Sequence, residues 1–286
     1  MGVRLGLLLV AAAMLTGSAS AQDAPPERVS FPSADGKATL VGYLYRPALA
    51  AGARAPAVVM LHGRAGPYSS RANGRYDAAT LSRRHQAWGR LLAGEGYVAL
   101  LVDSFGPRGY PAGFPRGSYR DRPDELNEVT IRPLDAYGAL AFLRTRADVS
   151  ADRIGLQGWS NGGSATLAAM TQDADGIPAG GGFRAAVAFY PACGLKGRFE
   201  AAPYRPYAPL RVFMGTADEE VSPRRCAALI ERSRAAGGDV AIRFYEGATH
   251  GFDDPGRRRQ SLDANASALE DASARALQFF GAALKK

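Results

Sequence analysis

The sequence predicts a single α/β domain, a mostly parallel central sheet of about eight strands with helices on both faces. Three observations carry that expectation. Strand-like apolar runs alternate with helix-length segments along the chain. Two of those runs, residues 57–61 and 97–102, are continuously apolar, as in strands buried on both faces of a parallel sheet. A serine flanked by glycines, in Gly158-Trp159-Ser160-Asn161-Gly162, stands between such a run and a helix of small residues. At 286 residues the chain is long enough for one large core, and nothing repeats at a fixed period.

The first residues read as an export signal. Arg4 supplies the charged end, residues 5–15 the apolar run, and Ala19-Ser20-Ala21 the small-x-small cleavage site. The run is too short for a comfortable transmembrane span. Residues 1–21 are therefore expected to be removed, leaving a periplasmic or secreted domain over 22–286 with no stable membrane anchor. Residues 22–28 form a polar leader. Strands are predicted at 29–31 and 38–45, joined by the turn Ser33-Ala-Asp-Gly36. The strand at 57–61 ends in His62-Gly63-Arg64-Ala65-Gly66. A helix over 83–94 leads to the strand at 97–102, which ends at Asp103. Residues 104–128, crowded with Gly, Pro, Arg and Tyr, are too long for an ordinary connector and are predicted to form an active-site loop or lid. A helix over 129–146 returns the chain to the strand before Ser160. Further strands are expected at 185–190, 210–214 and 240–245. Ser222-Pro223 starts a helix as N-cap and first-position proline, and a last helix spans 262–284.

In such sheets reactive groups gather at the carboxyl ends of strands, where Ser160, Asp218, His250 and His62-Gly63 all fall. A serine hydroxyl needs a base within reach, and that base needs an acid to hold its tautomer. The chain has three histidines. His62 precedes a glycine at a strand end, where an oxyanion loop belongs. His85 lies on a predicted helix and reads as a surface or packing residue. His250 follows the last strand and gives the chain order Ser, acid, His. Asp218, just after the seventh strand, is the expected acid. Glu219 and Glu220 read as solvated residues leading into a helix. Asp253 and Asp254 read as turn residues, since either would invert that order.

The oxyanion donors are expected to be the backbone N–H groups of Asn161 and Arg64. Arg108, Tyr110 and Trp159 are expected substrate contacts. Arginines among aromatics in 104–128 suit a carboxylate beside an apolar body. The alternative is that these arginines are solvated or pair with Asp121, Asp124 and Glu125 in the same loop.

The formal charge of +8 comes from scattered arginines, with no basic-aromatic stripe or recognition helix, so nucleic acid is not an expected partner. No H-x-x-x-H, C-x-x-C, P-loop or Rossmann spacing occurs, so neither a metal nor a cofactor is expected. Cys193 and Cys226 are the only cysteines. An even count in an exported protein favours a disulfide, and two separate free thiols are the alternative.

Taken together, several motifs resemble the dienelactone hydrolase family of α/β-hydrolases, from about Val29 to the C-terminus. They are His62-Gly-Arg-Ala-Gly66, Asp103-Ser-Phe-Gly-Pro-Arg-Gly109, Arg132-Pro-Leu-Asp135, Gly158-Trp-Ser-Asn-Gly-Gly163, Gly215-Thr-Ala-Asp218 and Thr249-His-Gly-Phe252. The resemblance implies an α/β-hydrolase fold with Ser160 as nucleophile, Asp218 as acid and His250 as base. Members that hydrolyse dienelactone itself carry cysteine at the nucleophile position and glutamate after the oxyanion-loop histidine, where this chain has Ser160 and Gly63. The fold and hydrolytic class are therefore implied, with a small-molecule ester or lactone rather than dienelactone as substrate. Gly-Trp-Ser-x-Gly-Gly also resembles secreted polyester esterases and the prolyl oligopeptidase-like peptidases. An amide-cleaving enzyme is thus an alternative. So is a non-catalytic binding module on a hydrolase scaffold, although such modules usually lose a triad member.

Overall fold

The computed structural model describes residues 25–286, so the expected export signal lies outside the described residues. Strands β1 (Glu27–Pro32) and β2 (Thr39–Tyr45) form an antiparallel hairpin, followed by β3 (Ala55–Leu61). Helix α1 (Arg83–Gly94) and β4 (Val98–Asp103) come next, then α2 (Arg132–Arg144), β5 (Val149–Trp159) and α3 (Asn161–Ala169). The chain continues through β6 (Ala186–Phe189), β7 (Leu210–Gly215), α4 (Pro223–Ala235) and β8 (Val240–Tyr245), and closes with α5 (Arg257–Gln260) and α6 (Asp263–Leu284). The eight strands make one sheet in the order β1-β2-β4-β3-β5-β6-β7-β8. Its pairs are parallel except β1 with β2 and β2 with β4.

Register explains why the loops that matter emerge together. Leu61 of β3 pairs with Val102 of β4 and with Gly158 of β5, and Trp159 pairs with Phe189 of β6. The carboxyl ends of four neighbouring strands are thus level. β5 is covered on both sides: a Cβ at Gly155 would press on Phe280 and Leu284 of α6, while one at Gly158 would collide with Gly162 and Thr166 of α3. Positions three apart on a strand face opposite ways, so α3 and α6 lie on opposite faces. Helix α6 buries Ala268, Ala272, Ala276, Phe280 and Leu284, a four-residue spacing that makes one continuous stripe.

Strands β1 and β3 begin two residues earlier than expected, and two further differences have a physical reason or bear on the site. Helix α2 begins at Arg132 rather than 129, because Pro133 suits the first helical turn, where no donor is required. Residues 104–128 carry three short 3₁₀ turns, Gly106–Arg108, Ser118–Asp121 and Asp124–Leu126, rather than an open stretch. Among the described residues no helix is long and apolar enough to cross a membrane.

Cys193 and Cys226 are joined by a disulfide, with Cα atoms 5.0 Å apart, tying the segment after β6 to α4. Closing a loop with a sequence separation of 33 removes unfolded-state entropy worth about 3 to 4 kcal/mol. Denatured, unreduced protein should therefore titrate no thiols, and reduction should lower the urea midpoint. Two titratable thiols would show that no bridge forms.

Candidate active site

Ser160 sits at the sharpest point of the β5–α3 connection, with φ 52° and ψ −115°. A residue other than glycine holds such a conformation only where its surroundings enforce it. The Ser160 N–H donates to Phe189 O at 2.9 Å, continuing the sheet, and Ser160 O accepts from Ser164 N–H at 2.9 Å, starting the helix. Strand and helix approach so closely that a Cβ on Gly158 would strike the Gly162 carbonyl. One on Gly162 would strike the carbonyls of Leu61 and His62. The glycines are therefore required by space.

Three side chains from three strand ends form one hydrogen-bonded chain. Ser160 Oγ lies 2.9 Å from His250 Nε2, and His250 Nδ1 lies 2.9 Å from Asp218 Oδ2. The Asp218 carboxylate is fully buried, and its other oxygen accepts the N–H groups of Glu220 and Val221, each at 2.9 Å. With Asp218 accepting at Nδ1, the imidazole carries its proton there and presents a lone pair at Nε2 to the serine hydroxyl. The His250 ring packs edge-on against Tyr190, centroids 4.7 Å apart.

The loop after β3 lies against the elbow: a Cβ on Gly63 would stand 3.4 Å from Trp159 O and 3.5 Å from Ser160 Cβ. His62 is fully buried. Its Nδ1–H donates to Gly63 O at 2.7 Å, and its Nε2 accepts from Ser104 N–H at 3.2 Å. Both contacts require a neutral ring, and burial beside the Arg132 cation pushes the His62 pKa well below its ordinary value. The Gly63 carbonyl and the Arg64 N–H belong to one peptide unit, so holding the first aims the second the opposite way. The Arg64 N–H meets no acceptor among the described residues. Asn161, as the first residue of α3, has no partner one turn back. Two unengaged N–H groups thus flank Ser160.

Several neighbouring residues depart from expectation. Glu219 and Glu220 are not merely solvated. Glu219 accepts the His250 N–H at 2.9 Å and Arg259 Nη1 at 3.3 Å. Burial would raise its pKa, but these hydrogen bonds outweigh it and hold the carboxyl low. Glu220 is gripped by Arg64 through Nε at 3.2 Å and Nη2 at 3.1 Å, and its Oε2 lies 3.8 Å from His250 Nε2. Here too burial acts upward, and the Arg64 hydrogen bond leads the groups that pull the pKa below the usual range.

Trp159 does not face a substrate. It shares the Gly155 face of β5, packs 5.9 Å from Trp88 of α1, and is fully buried. Arg108 is not free to bind a carboxylate. Its guanidinium forks the buried Asp135 at 2.7 and 2.9 Å and donates to Ser104 O at 2.8 Å. Its partner lies on α2, outside its own loop, which is why loop composition did not reveal it. Tyr110 is half-buried, with its ring 5.4 Å from Phe114. Phe114 joins the oxyanion loop: its N–H donates to Arg64 O at 2.8 Å and its carbonyl accepts from Arg64 Nη1 at 3.0 Å. Arg116 Nη2 donates to Glu219 O at 2.8 Å. Residues 104–128 are thereby fastened to the loops bearing Arg64 and Glu219. His85 is buried packing, with Nδ1 2.9 Å from both Ser82 Oγ and Pro67 O, and burial lowers its pKa to about 4.

Asp253 lies in a turn, as read from sequence, and is also a buried hub. Its carboxylate accepts Trp88 Nε1 at 2.9 Å, Trp159 Nε1 at 2.7 Å and the Tyr190 hydroxyl, and Arg84 Nε lies 3.1 Å away. A signal existed: the chain has two tryptophans, and a buried indole N–H needs an acceptor.

An eight-stranded sheet of this order, with a serine on a strand–turn–helix elbow, defines an α/β-hydrolase. Residues 40–284 match the model of the Dienelactone hydrolase family, so the chain belongs to that family. Solved structures share the fold. A dienelactone hydrolase-like promiscuous phosphotriesterase from metagenomic libraries is 18% identical with TM-score 0.65, covering 90% of this chain and 97% of its own. A propionate-bound esterase from Thermogutta terrifontis is 22% identical with TM-score 0.60, covering 89% and 94%. Dipeptidyl peptidase 8 of Homo sapiens is 33% identical over 153 residues, 53% of this chain and 16% of the peptidase. A Bradyrhizobium sp protein described as "Probable 2-oxo-3-(5-oxofuran-2-ylidene)propanoate lactonase" is 29% identical over 170 residues, 56% of this chain and 64% of that protein. The chain thus spans only a small part of the peptidase and just under two thirds of the lactonase.

Two outcomes follow from the site's charges. Asp253→Ala strands two buried indole N–H groups and the Tyr190 hydroxyl and removes one of the two carboxylates beside Arg84, so it should cost about 3 to 5 kcal/mol in urea unfolding, with Asp253→Asn milder. Glu220 has a depressed folded-state pKa, so its contribution to stability is present above the unfolded value of roughly 4.3 and disappears as pH falls through the folded value. Glu220→Gln should therefore lower the urea midpoint at pH 7, and the gap to wild type should close as pH falls below the usual carboxylate range.

Proposed function

We propose that the protein is an exported serine hydrolase that cleaves a small-molecule ester or lactone through an acyl-enzyme. The observation that carries this reading is the unbroken Ser160–His250–Asp218 chain beside two unengaged N–H groups. His250 Nε2 takes the Ser160 proton as Oγ attacks the carbonyl carbon, and Asp218 stabilises the imidazolium that forms. The N–H groups of Asn161 and Arg64 receive the developing oxyanion. The imidazolium then protonates the leaving alkoxide, and water activated by His250 releases the acid. For a lactone, alkoxide and acid leave as one hydroxy acid. Tyr110, beside Phe114, is assigned to the wall of the substrate site. The Cys193–Cys226 bond suits an oxidising compartment, which supports export.

A second reading, cleavage of a peptide or other amide, is favoured by the 33% identity to part of a dipeptidyl peptidase. A non-catalytic binding role fits the structure less well, since no member of the hydrogen-bonded chain is missing.

A fluorophosphonate probe should label wild-type protein at Ser160. Paraoxon, which phosphorylates the Thermogutta terrifontis esterase, should inactivate it at the same residue. Ser160→Ala and His250→Ala should each reduce kcat by on the order of 10⁴-fold or more on p-nitrophenyl esters while remaining folded. Comparable turnover by a clean Ser160→Ala preparation would remove Ser160 from the mechanism. A panel of p-nitrophenyl esters, lactones and peptide anilides separates the readings, with faster turnover of anilides favouring the amide.

A further inference from the structure

Arg132 opens α2 and is fully buried, yet no carboxylate among the described residues forms an ion pair with it. Asp135, the acid closest in sequence on the same helix, is occupied by Arg108 through both oxygens. Arg132 instead donates from Nη1 to Asn161 Oδ1 at 2.5 Å, while Nε and Nη2 meet no acceptor. Its Cζ lies 5.0 Å from the centroid of the Phe105 ring, and that ring stands edge-on to His62 at 4.5 Å. Burial lowers the Arg132 pKa, only to about 10, with Asp135 and Glu128 opposing the fall from a distance. The group is therefore a cation at neutral pH.

Burying a charge without a contacting counter-ion costs on the order of several kcal/mol, and an apolar side chain at this position would avoid that cost. The placement of the charge supplies a reason for it. One guanidinium contacts Asn161 directly and, through a single aromatic ring, the histidine that orients the Gly63–Arg64 peptide. These two residues govern the two N–H groups flanking Ser160.

We infer that Arg132 is a positioning residue of the oxyanion hole, fixing the Asn161 side chain at the first turn of α3 and placing a fixed positive charge behind the oxygen that becomes negative. The inference rests on the assignment of Ser160 as nucleophile. A fixed charge in a dry site needs no reorganisation as the oxyanion forms, so it favours the transition state over the neutral ester.

The test compares wild type, Arg132→Lys and Arg132→Gln as full mature domains, with active sites counted by fluorophosphonate labelling. For Arg132→Gln, kcat per labelled site should fall by about 10- to 100-fold, with KM changed by less than about threefold. Affinity for an aryl boronic acid, which forms an anionic tetrahedral adduct on serine, should fall in parallel with kcat. Arg132→Lys should recover part of both losses. A purely structural role would lower the melting temperature and the labelled fraction while leaving turnover per labelled site intact, and that outcome overturns the inference. If Arg132→Gln does not fold, Asn161→Ala is read instead. It keeps the backbone N–H but breaks the link to the guanidinium, and unchanged kcat and boronate affinity there overturn the inference. Absence of labelling in wild type would overturn the nucleophile assignment and this inference together. A labelled, active wild type with an unimpaired Arg132→Gln variant overturns this inference alone.

Discussion

The close approach of β5 and α3 at Ser160 is the constraint on which the rest of the site depends. A Cβ at Gly158 or Gly162 would force the helix away from the strand ends. The helix would then no longer start one residue after the nucleophile, and its first N–H groups would no longer face the serine. The positive φ of Ser160 is the local expression of that crowding. It is held by a sheet bond on one side and a helix bond on the other. Strain at one residue is sustained because both neighbouring elements are rigid.

Around this point three buried aspartates are each held by specific partners. Asp218 is held by two backbone N–H groups and His250. Asp253 gathers two indoles, a phenol and a guanidinium, and so ties α1, the residue before the nucleophile and the histidine loop to one carboxylate. Asp135 anchors residues 104–128 to α2 through Arg108. Buried polar groups that are fully satisfied make an arrangement unique, because any alternative packing leaves one of them unpaired. His62 follows the same logic as a neutral ring, one nitrogen donating and the other accepting.

Glu220 and Arg64 form a partly exposed pair next to His250, with Arg116 reaching the same carboxylate at 3.9 Å. Arg132, buried at the start of α2 and bonded to Asn161, has no contacting counter-ion among the described residues. Members of the family that act on dienelactone carry a different residue after the oxyanion-loop histidine. Gly63 in that position leaves the loop free to press against Trp159 and Ser160.

Much of the fold and of the hydrogen-bonded chain was legible in the sequence, because both are written in local patterns. Continuous apolar runs mark strands buried on two faces, the glycine spacing around Ser160 marks the close approach, and three histidines leave little choice of base. Such signals need only neighbours in the chain. The roles of Arg108, Asp253, Glu220 and Arg132 were decided by tertiary structure alone. Their partners lie 27, 94, 156 and 29 positions away on other elements. Composition shows a buried aspartate and a solvated one as the same letter, and Trp159 as an aromatic beside a nucleophile. Only the pleat of β5 decides that its side chain turns into the core, away from any substrate.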